Sequence, residues 1–245
     1  MGARYQQPIP FGWFALAYSD ELGVGEVRPL HYLGRDLVLF RTESGQPRVL
    51  DAFCPHLGAH LGHGGVVHGE HIACPFHGWQ FDSDGFCREV PYASSMPPRI
   101  QGRQVIASYP TIERNRMIWV WYHPQGEPPA FEVDEIPEFS SAQFTDLDTY
   151  DWHIDTIVQE AGENGADVAH FIYVHKAADM PEGEVSMDGV RRATKIRYKV
   201  PRINEQGAMA ESGEDWEYLH VDSTNIGAGQ TIQRISRAFE VIMLG

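Results

Sequence analysis

Cys54-Pro55-His56-Leu57-Gly58-Ala59-His60-Leu61-Gly62-His63-Gly64-Gly65 and, further on, Cys74-Pro75-Phe76-His77-Gly78-Trp79 decide how this chain is read. They give C-x-H, seventeen residues, then C-x-x-H. Each loop supplies one thiolate and one imidazole, flanked by proline and glycine. Four soft donors in two short loops form a metal-site pattern.

A [2Fe–2S] cluster suits this set when one iron takes the two cysteines and the other the two histidines. We therefore assign Cys54, His56, Cys74 and His77 as candidate cluster ligands. The competing reading is a structural Cys₂His₂ zinc site. Zinc fingers usually keep both cysteines in one knuckle and both histidines in the other, whereas here each loop carries one of each. Gly58 and Gly78 would let backbone N–H groups approach bridging sulfides. His60, His63, His68 and His71 fall outside the ligand positions and read as solvated loop residues. Cys87 reads as a packed free thiol.

Bulk properties narrow the setting. Among 245 residues, 19 are basic and 34 acidic, for a net charge of −15, which disfavours nucleic acid as a partner. Three cysteines cannot form a disulfide framework once two serve a metal, so a reducing compartment fits. There is no membrane-length apolar run and no signal-peptide pattern at Met1–Pro10. The expectation is a soluble, cytoplasmic protein.

Residues 11–125 read as β-rich. Val27–Arg41 suggests a hairpin around Gly34-Arg35, and Asp82-Ser83-Asp84-Gly85 suggests another. Met117–Tyr122 (MIWVWY) reads as a buried strand. Four prolines between His123 and Pro137 mark a linker. Asp155–Tyr173 carries apolar residues at helical spacing, weakened by Gly162 and Gly165. Val190–Val200 and Gln230–Leu244 read as strands. The apolar close Phe239–Gly245 would leave a bare sheet edge, so we expect a fragment of a longer protein.

A second motif lies between the linker and these strands: Asn164, Asp167, His170 and His175 in N-x-x-D-x-x-H-x-x-x-x-H. Asp167 and His170, three apart, are expected on one helix face. His175 lies about 140° further round an ideal helix, so the helix must end or distort between the histidines. Two histidines and a carboxylate make the facial triad of non-haem Fe(II). Alone the pattern is weak, and an incidental pair is the competing reading. An upstream electron-transfer cluster strengthens it, because a reducible iron then has an electron source.

The text CPHLGAHLGHGG followed by ACPFHGWQFDSDGFC resembles the Rieske-type non-haem iron oxygenases. Ala59 and Phe76 stand where respiratory Rieske proteins carry a disulfide. VLDAFCPHLGAHL, IACPFHGW, CREVPYA and IWVWYHPQGEPP are similar to the ketosteroid 9α-hydroxylase and cholesterol 7-desaturase branch. The resemblance implies an α+β fold: a β-rich Rieske [2Fe–2S] domain over 1–125, then a partial helix-grip catalytic domain, antiparallel sheet plus helices, over 126–245. It implies His170 and His175 as mononuclear Fe(II) ligands, Asp167 as the electron-transfer bridge to a neighbouring subunit's cluster, and a role for Asn164. The family's third ligand, a carboxylate on a later helix, has no counterpart here. The implied activity is O₂-dependent hydroxylation or desaturation of an apolar, sterol-like substrate. Electrons would come from an NAD(P)H-dependent reductase, with or without a ferredoxin, in a homotrimer. A Rieske electron carrier and an inactive truncated homologue are the alternatives.

Overall fold

The computed structural model describes residues 8–165, 167–202, 215–237 and 240–245. Two compact units divide it, Ile9–Glu135 and Ile136–Gly245, with Pro8 grouped with the second.

The first unit is built from eleven strands. They are β1 (Gly12–Tyr18), β2 (Val27–Tyr32), β3 (Arg35–Arg41), β4 (Pro47–Asp51), β5 (Val66–His68), β6 (His71–Ala73), β7 (Gln80–Phe81), β8 (Cys87–Glu89), β9 (Ser108–Tyr109), β10 (Thr111–Arg114) and β11 (Met117–Tyr122). They form three antiparallel sheets, ordered β2-β3-β4-β9, β5-β6-β7-β8 and β1-β11-β10.

Strand β3 explains the layering. Leu37, Val38, Leu39 and Phe40 are all fully buried, so both faces of this strand are covered. Successive side chains point to opposite faces of a strand. Val38 and Phe40 join Leu50, Leu61, Ile72, Trp79 and Phe81 in one core, together with Cys54 and Cys74. Leu37 and Leu39 join Phe14, Ile118 and Val120 in a second core. The sheet holding β3 thus has the two-loop hairpin sheet on one side and β1 with β11 on the other. The turn between β2 and β3 is Leu33-Gly34, both at positive φ, the geometry of a tight two-residue hairpin.

Beyond β11 the proline-rich stretch packs back onto its own unit. Trp13 Nε1 donates to Phe131 O at 2.7 Å, and Trp121 Nε1 donates to Glu127 O at 2.8 Å. Phe131 also meets Trp121 edge-on, with ring centroids 5.1 Å apart. Two buried indoles satisfied by that segment explain why the chain up to Glu135 packs with the first unit.

In the second unit, α1 (Val158–Asn164) and α2 (His170–Tyr173) precede β12 (Glu182–Asp188), β13 (Arg191–Pro201), β14 (Trp216–Ile226), β15 (Gln230–Ser236) and β16 (Glu240–Leu244). The strands form one antiparallel sheet in sequence order. Ile196, Tyr198 and Val200 of β13 and Val221 of β14 face a core with Ala177, and Phe171 of α2 packs on it. The strand readings of 190–200 and 230–244 correspond to β13 and to β15 with β16; Phe239 lies outside the described residues. The single helix read over 155–173 is instead two short ones, α1 being capped at Gly165. Glycine in a helix interior is destabilising, which explains the break.

Arg41 ties the first unit together from inside. Its side chain is 8% exposed and bonds both Glu113 carboxylate oxygens, at 2.8 and 3.0 Å. It also donates to Leu22 O, Gly45 O and Ser19 O. The hydrogen bonds from Arg41 hold the Glu113 carboxyl below its ordinary value, against the opposing effect of burial. A carboxyl depressed on folding stabilises the fold above its unfolded pKa, about 4.3. That contribution fades as pH falls through the lower folded value. Urea unfolding should show Arg41→Met losing about 2 kcal/mol at neutral pH, because three carbonyls and a half-exposed carboxylate lose their shared partner. Glu113→Gln should flatten the decline in stability below about pH 4, near the carboxylate reference value.

Candidate metal centres

The two loops are built alike. Strand β4 leads through Ala52 and Phe53 to Cys54, and β6 leads directly to Cys74. Gly58 N–H donates to Cys54 O and Gly78 N–H to Cys74 O, both at 2.9 Å. Cys54 N–H donates to Ala59 O and Cys74 N–H to Trp79 O, both at 2.8 Å. Each loop closes through a glycine in the left-handed region, with φ +75° at Gly58 and +69° at Gly78. That conformation is costly for any residue with a Cβ. The same backbone carries histidine at the second position after Cys54 and at the third after Cys74.

This geometry brings the donors together in two pairs, Cys54 with Cys74 and His56 with His77. Both cysteines are buried free thiols. The His56 and His77 rings lie 4.7 Å apart at 72°. Burial pushes the Cys54 thiol up to about 12, opposed by a backbone hydrogen bond at His56 and reinforced by a hydrogen bond with Cys74. The buried Cys54 thiol therefore favours the neutral form unless a cation compensates. His56 Nδ1 is buried and has no hydrogen-bond partner among the described residues. An unsatisfied buried nitrogen is costly, and a metal lone-pair acceptor would satisfy it. Donor chemistry, proximity and the orphaned nitrogen all fit a cluster held by Cys54, Cys74, His56 and His77.

Neighbouring residues refine the picture. Trp79 lies flat on His56, with centroids 4.5 Å apart and planes 7° apart. Its Nε1 donates to Tyr92 Oη at 2.8 Å. The sequence signal for this stack was Trp79 directly after His77-Gly78, but nothing linked it to Tyr92. His63 and His68 are exposed as expected, whereas His60 and His71 are half-buried. His60 is not a solvated loop residue: it packs edge-on against Phe53, and its Nδ1 accepts Gly62 N–H at 3.0 Å. Burial lowers its pKa. Cys87 is buried beside Glu89 O, as a packed thiol would be.

The second motif gathers its histidines at the end of α2. The rings of His170 and His175 are 5.2 Å apart. Helix α2 stops at Tyr173, and Lys176 takes a positive φ of 58°, so the helix ends between the two histidines as their spacing required. Phe171 anchors the segment edge-on against Tyr198 at 5.0 Å.

Asp167 does not share a helix face with His170, because it precedes α2. Its Oδ1 accepts Ala169 N–H at 2.9 Å, a local turn that competes with the helix. His170 Nδ1 bonds the Asp167 carbonyl oxygen at 2.6 Å, and the carboxylate Oδ2 lies 3.8 Å away. A carbonyl only accepts, so Nδ1 carries the proton and Nε2 keeps its lone pair for a metal. Asn164 ends α1, and its side chain lies outside the described part of the structure. Among the described residues no group of three His, Cys, Asp or Glu is gathered to hold a single metal ion: no third carboxylate joins His170 and His175, and the loop donors stand in two pairs, Cys54 with Cys74 and His56 with His77.

Comparison with known families decides between cluster and zinc finger. Residues 12–110 match the Rieske [2Fe-2S] domain, and residues 120–244 match the 3-ketosteroid 9alpha-hydroxylase C-terminal domain. The chain belongs to the Rieske non-haem iron oxygenases, in the ketosteroid 9α-hydroxylase and cholesterol 7-desaturase branch.

Within that branch, cholesterol 7-desaturase nvd 1 of Ciona intestinalis is 40% identical over 167 residues, covering 68% of this chain and 35% of that protein. The oxygenase component of 3-ketosteroid-9-alpha-monooxygenase from Rhodococcus rhodochrous is 33% identical over 216 residues, covering 85% and 53%. The chain thus spans roughly a third to a half of these relatives. Dicamba monooxygenase bound to dicamba shares the fold, with a TM-score of 0.69 at 21% identity, over 95% of this chain and 70% of that one. No described helix is long and apolar enough to cross a membrane.

The loop glycines give a graded test. A Cβ on Gly58 meets nothing, so Gly58→Ala should cost only left-handed strain, about 1 kcal/mol in urea unfolding. A Cβ on Gly78 would also lie 3.2 Å from Pro91 Cγ, so Gly78→Ala should cost more.

Proposed function

We propose that this chain is the Rieske-domain and iron-motif portion of a terminal oxygenase that hydroxylates or desaturates an apolar, sterol-like substrate. The observation carrying this reading is the presence in one chain of the Cys54/His56/Cys74/His77 loops and the His170/His175 pair. A simple electron carrier has no use for the second pair. When bound, the cluster supplies single electrons and the Fe(II) site supplies O₂ activation, while the protein orients both.

Each residue then has a task. Cys54 and Cys74 would hold one iron of the cluster and His56 and His77 the other. His170 and His175 would hold the mononuclear iron through their ring nitrogens, His170 through the Nε2 that its Nδ1 hydrogen bond leaves available. The Asp167 carbonyl fixes the His170 tautomer and ring direction, the usual duty of a partner behind a ligating histidine. The exposed Asp167 carboxylate would serve as the bridge between His170 and a neighbouring copy's cluster, which a trimer would bring to it. Asn164 is assigned to the same segment.

The overall stoichiometry is balanced by a two-electron donor. Hydroxylation converts R–H, O₂, NAD(P)H and a proton into R–OH, water and NAD(P)⁺. Desaturation uses the same reductant and O₂ to remove two hydrogens, yielding an alkene and two waters. The name "oxygenase component" borne by the Rhodococcus relative supports a separate NAD(P)H-dependent reductase, with or without a ferredoxin. The cytoplasm suits a protein whose ligand cysteines must stay reduced before loading.

The full-length protein that carries this chain, anaerobically loaded with iron and sulfide and given a reductase, should consume O₂ only when cholesterol or a 3-ketosteroid is present. His170→Ala should lose product formation and the mononuclear iron, yet keep the visible spectrum of the cluster. Loss of that spectrum as well would contradict two separate centres. O₂ uptake indifferent to every steroid would contradict the substrate class.

A further inference from the structure

We infer that Trp79 and Tyr92 form a positioning pair that tunes the reduction potential of the cluster through His56. This deepens the proposal above and rests on His56 being a cluster ligand.

The geometry is specific. Trp79 is 3% exposed, and its indole covers the His56 ring in a near-parallel stack, 4.5 Å between centroids and 7° between planes. Its position is fixed at three points. Its carbonyl accepts Cys74 N–H at 2.8 Å, its ring packs against Phe81 at 6.5 Å, and its Nε1 donates to Tyr92 Oη at 2.8 Å. The Tyr92 ring in turn stands edge-on to His77 at 6.4 Å. One tryptophan and one tyrosine therefore touch both imidazoles assigned to the histidine-side iron. His56 has no other anchor of its Nδ1 among the described residues, so the indole face sets the plane of that ring.

The electronic consequence follows from the quadrupole of the indole. An aromatic face attracts positive charge, and tryptophan does so most strongly. An imidazole on an oxidised iron carries more positive charge than the same ring after one electron has arrived. The stack therefore stabilises the oxidised cluster more than the reduced one and lowers the potential. The hydrogen bond from Nε1 to Tyr92 Oη draws the indole proton outward and enriches the ring, adding to the same effect. Groups behind the ligands are a general lever on the potential of a metal site.

The test is potentiometric titration of the loaded protein with dithionite, followed by optical absorption and low-temperature EPR, in four forms. Relative to wild type, Trp79→Leu should raise the midpoint potential and change the EPR anisotropy. Trp79→Phe, which retains a stacked ring, should fall between the two. Tyr92→Phe, which deletes one hydroxyl on an exposed residue and leaves the core intact, should raise the potential slightly. If Trp79→Leu fails to load, the Trp79→Phe and Tyr92→Phe shifts carry the test. A merely structural role would lower cluster content without moving the potential of the clusters that form, and unchanged potentials in every loaded variant would overturn the inference. Wild-type protein showing no one-electron cluster wave would instead refute the cluster assignment beneath it.

Discussion

Two thiols and an unpartnered imidazole nitrogen, buried at the mouth of an apolar core, are the constraint on which the first unit depends. Cys54 and Cys74 share a core with Phe40, Ile72, Trp79 and Phe81. Apolar surroundings disfavour a lone thiolate, and an unsatisfied ring nitrogen has a cost of its own. A dication or a cluster removes both costs at once, so the site and the fold around it are coupled. The layering follows from that need. β3, buried on both faces, backs the loop sheet with one core and is itself backed by a second, which holds the loop stems rigidly. Rigid support is what a metal site demands of its scaffold.

The second unit solves a different problem with lighter means. Its histidines sit on a four-residue helix and the turn after it, a segment too short to be stable alone. Tertiary contacts hold it. Phe171 packs on Tyr198, Ala178 N–H donates to Lys199 O at 2.9 Å, and Arg192 Nη2 donates to Gly162 O at the end of α1 at 3.0 Å. Arg192 also bonds Asn225, which bonds Thr231, so a polar row across β13, β14 and β15 ends on the segment carrying the iron motif. The sheet positions this motif from behind, with His170 half-buried against it and His175 exposed.

Much of this was legible in the sequence because the signals were local. The paired C-P-x-x-G loops, the hairpin before β3 and the apolar run of β11 each depend on neighbours a few residues away. The end of the helix before His175 was legible from angular arithmetic alone. What escaped was set by distant partners. The stack of Trp79 on His56 and its tie to Tyr92, the packing of Phe131 and Glu127 onto Trp13 and Trp121, and the burial of His60 against Phe53 have no local period. Asp167 was misplaced for another reason: its side chain prefers a turn to Ala169 N–H over continuing the helix, and a spacing rule does not weigh that competition.

The central claim is that these two loops hold a two-iron cluster with unlike ligands on its two irons. Mössbauer spectroscopy of the ⁵⁷Fe-loaded, dithionite-reduced chain tests it most directly. The account predicts two inequivalent cluster irons in equal amounts, a ferric site with thiolate character and a ferrous site with nitrogen ligation, with a separate high-spin ferrous component that disappears in His170→Ala. A single type of cluster iron, or a chain that retains zinc and no sulfide-bridged iron, would contradict it.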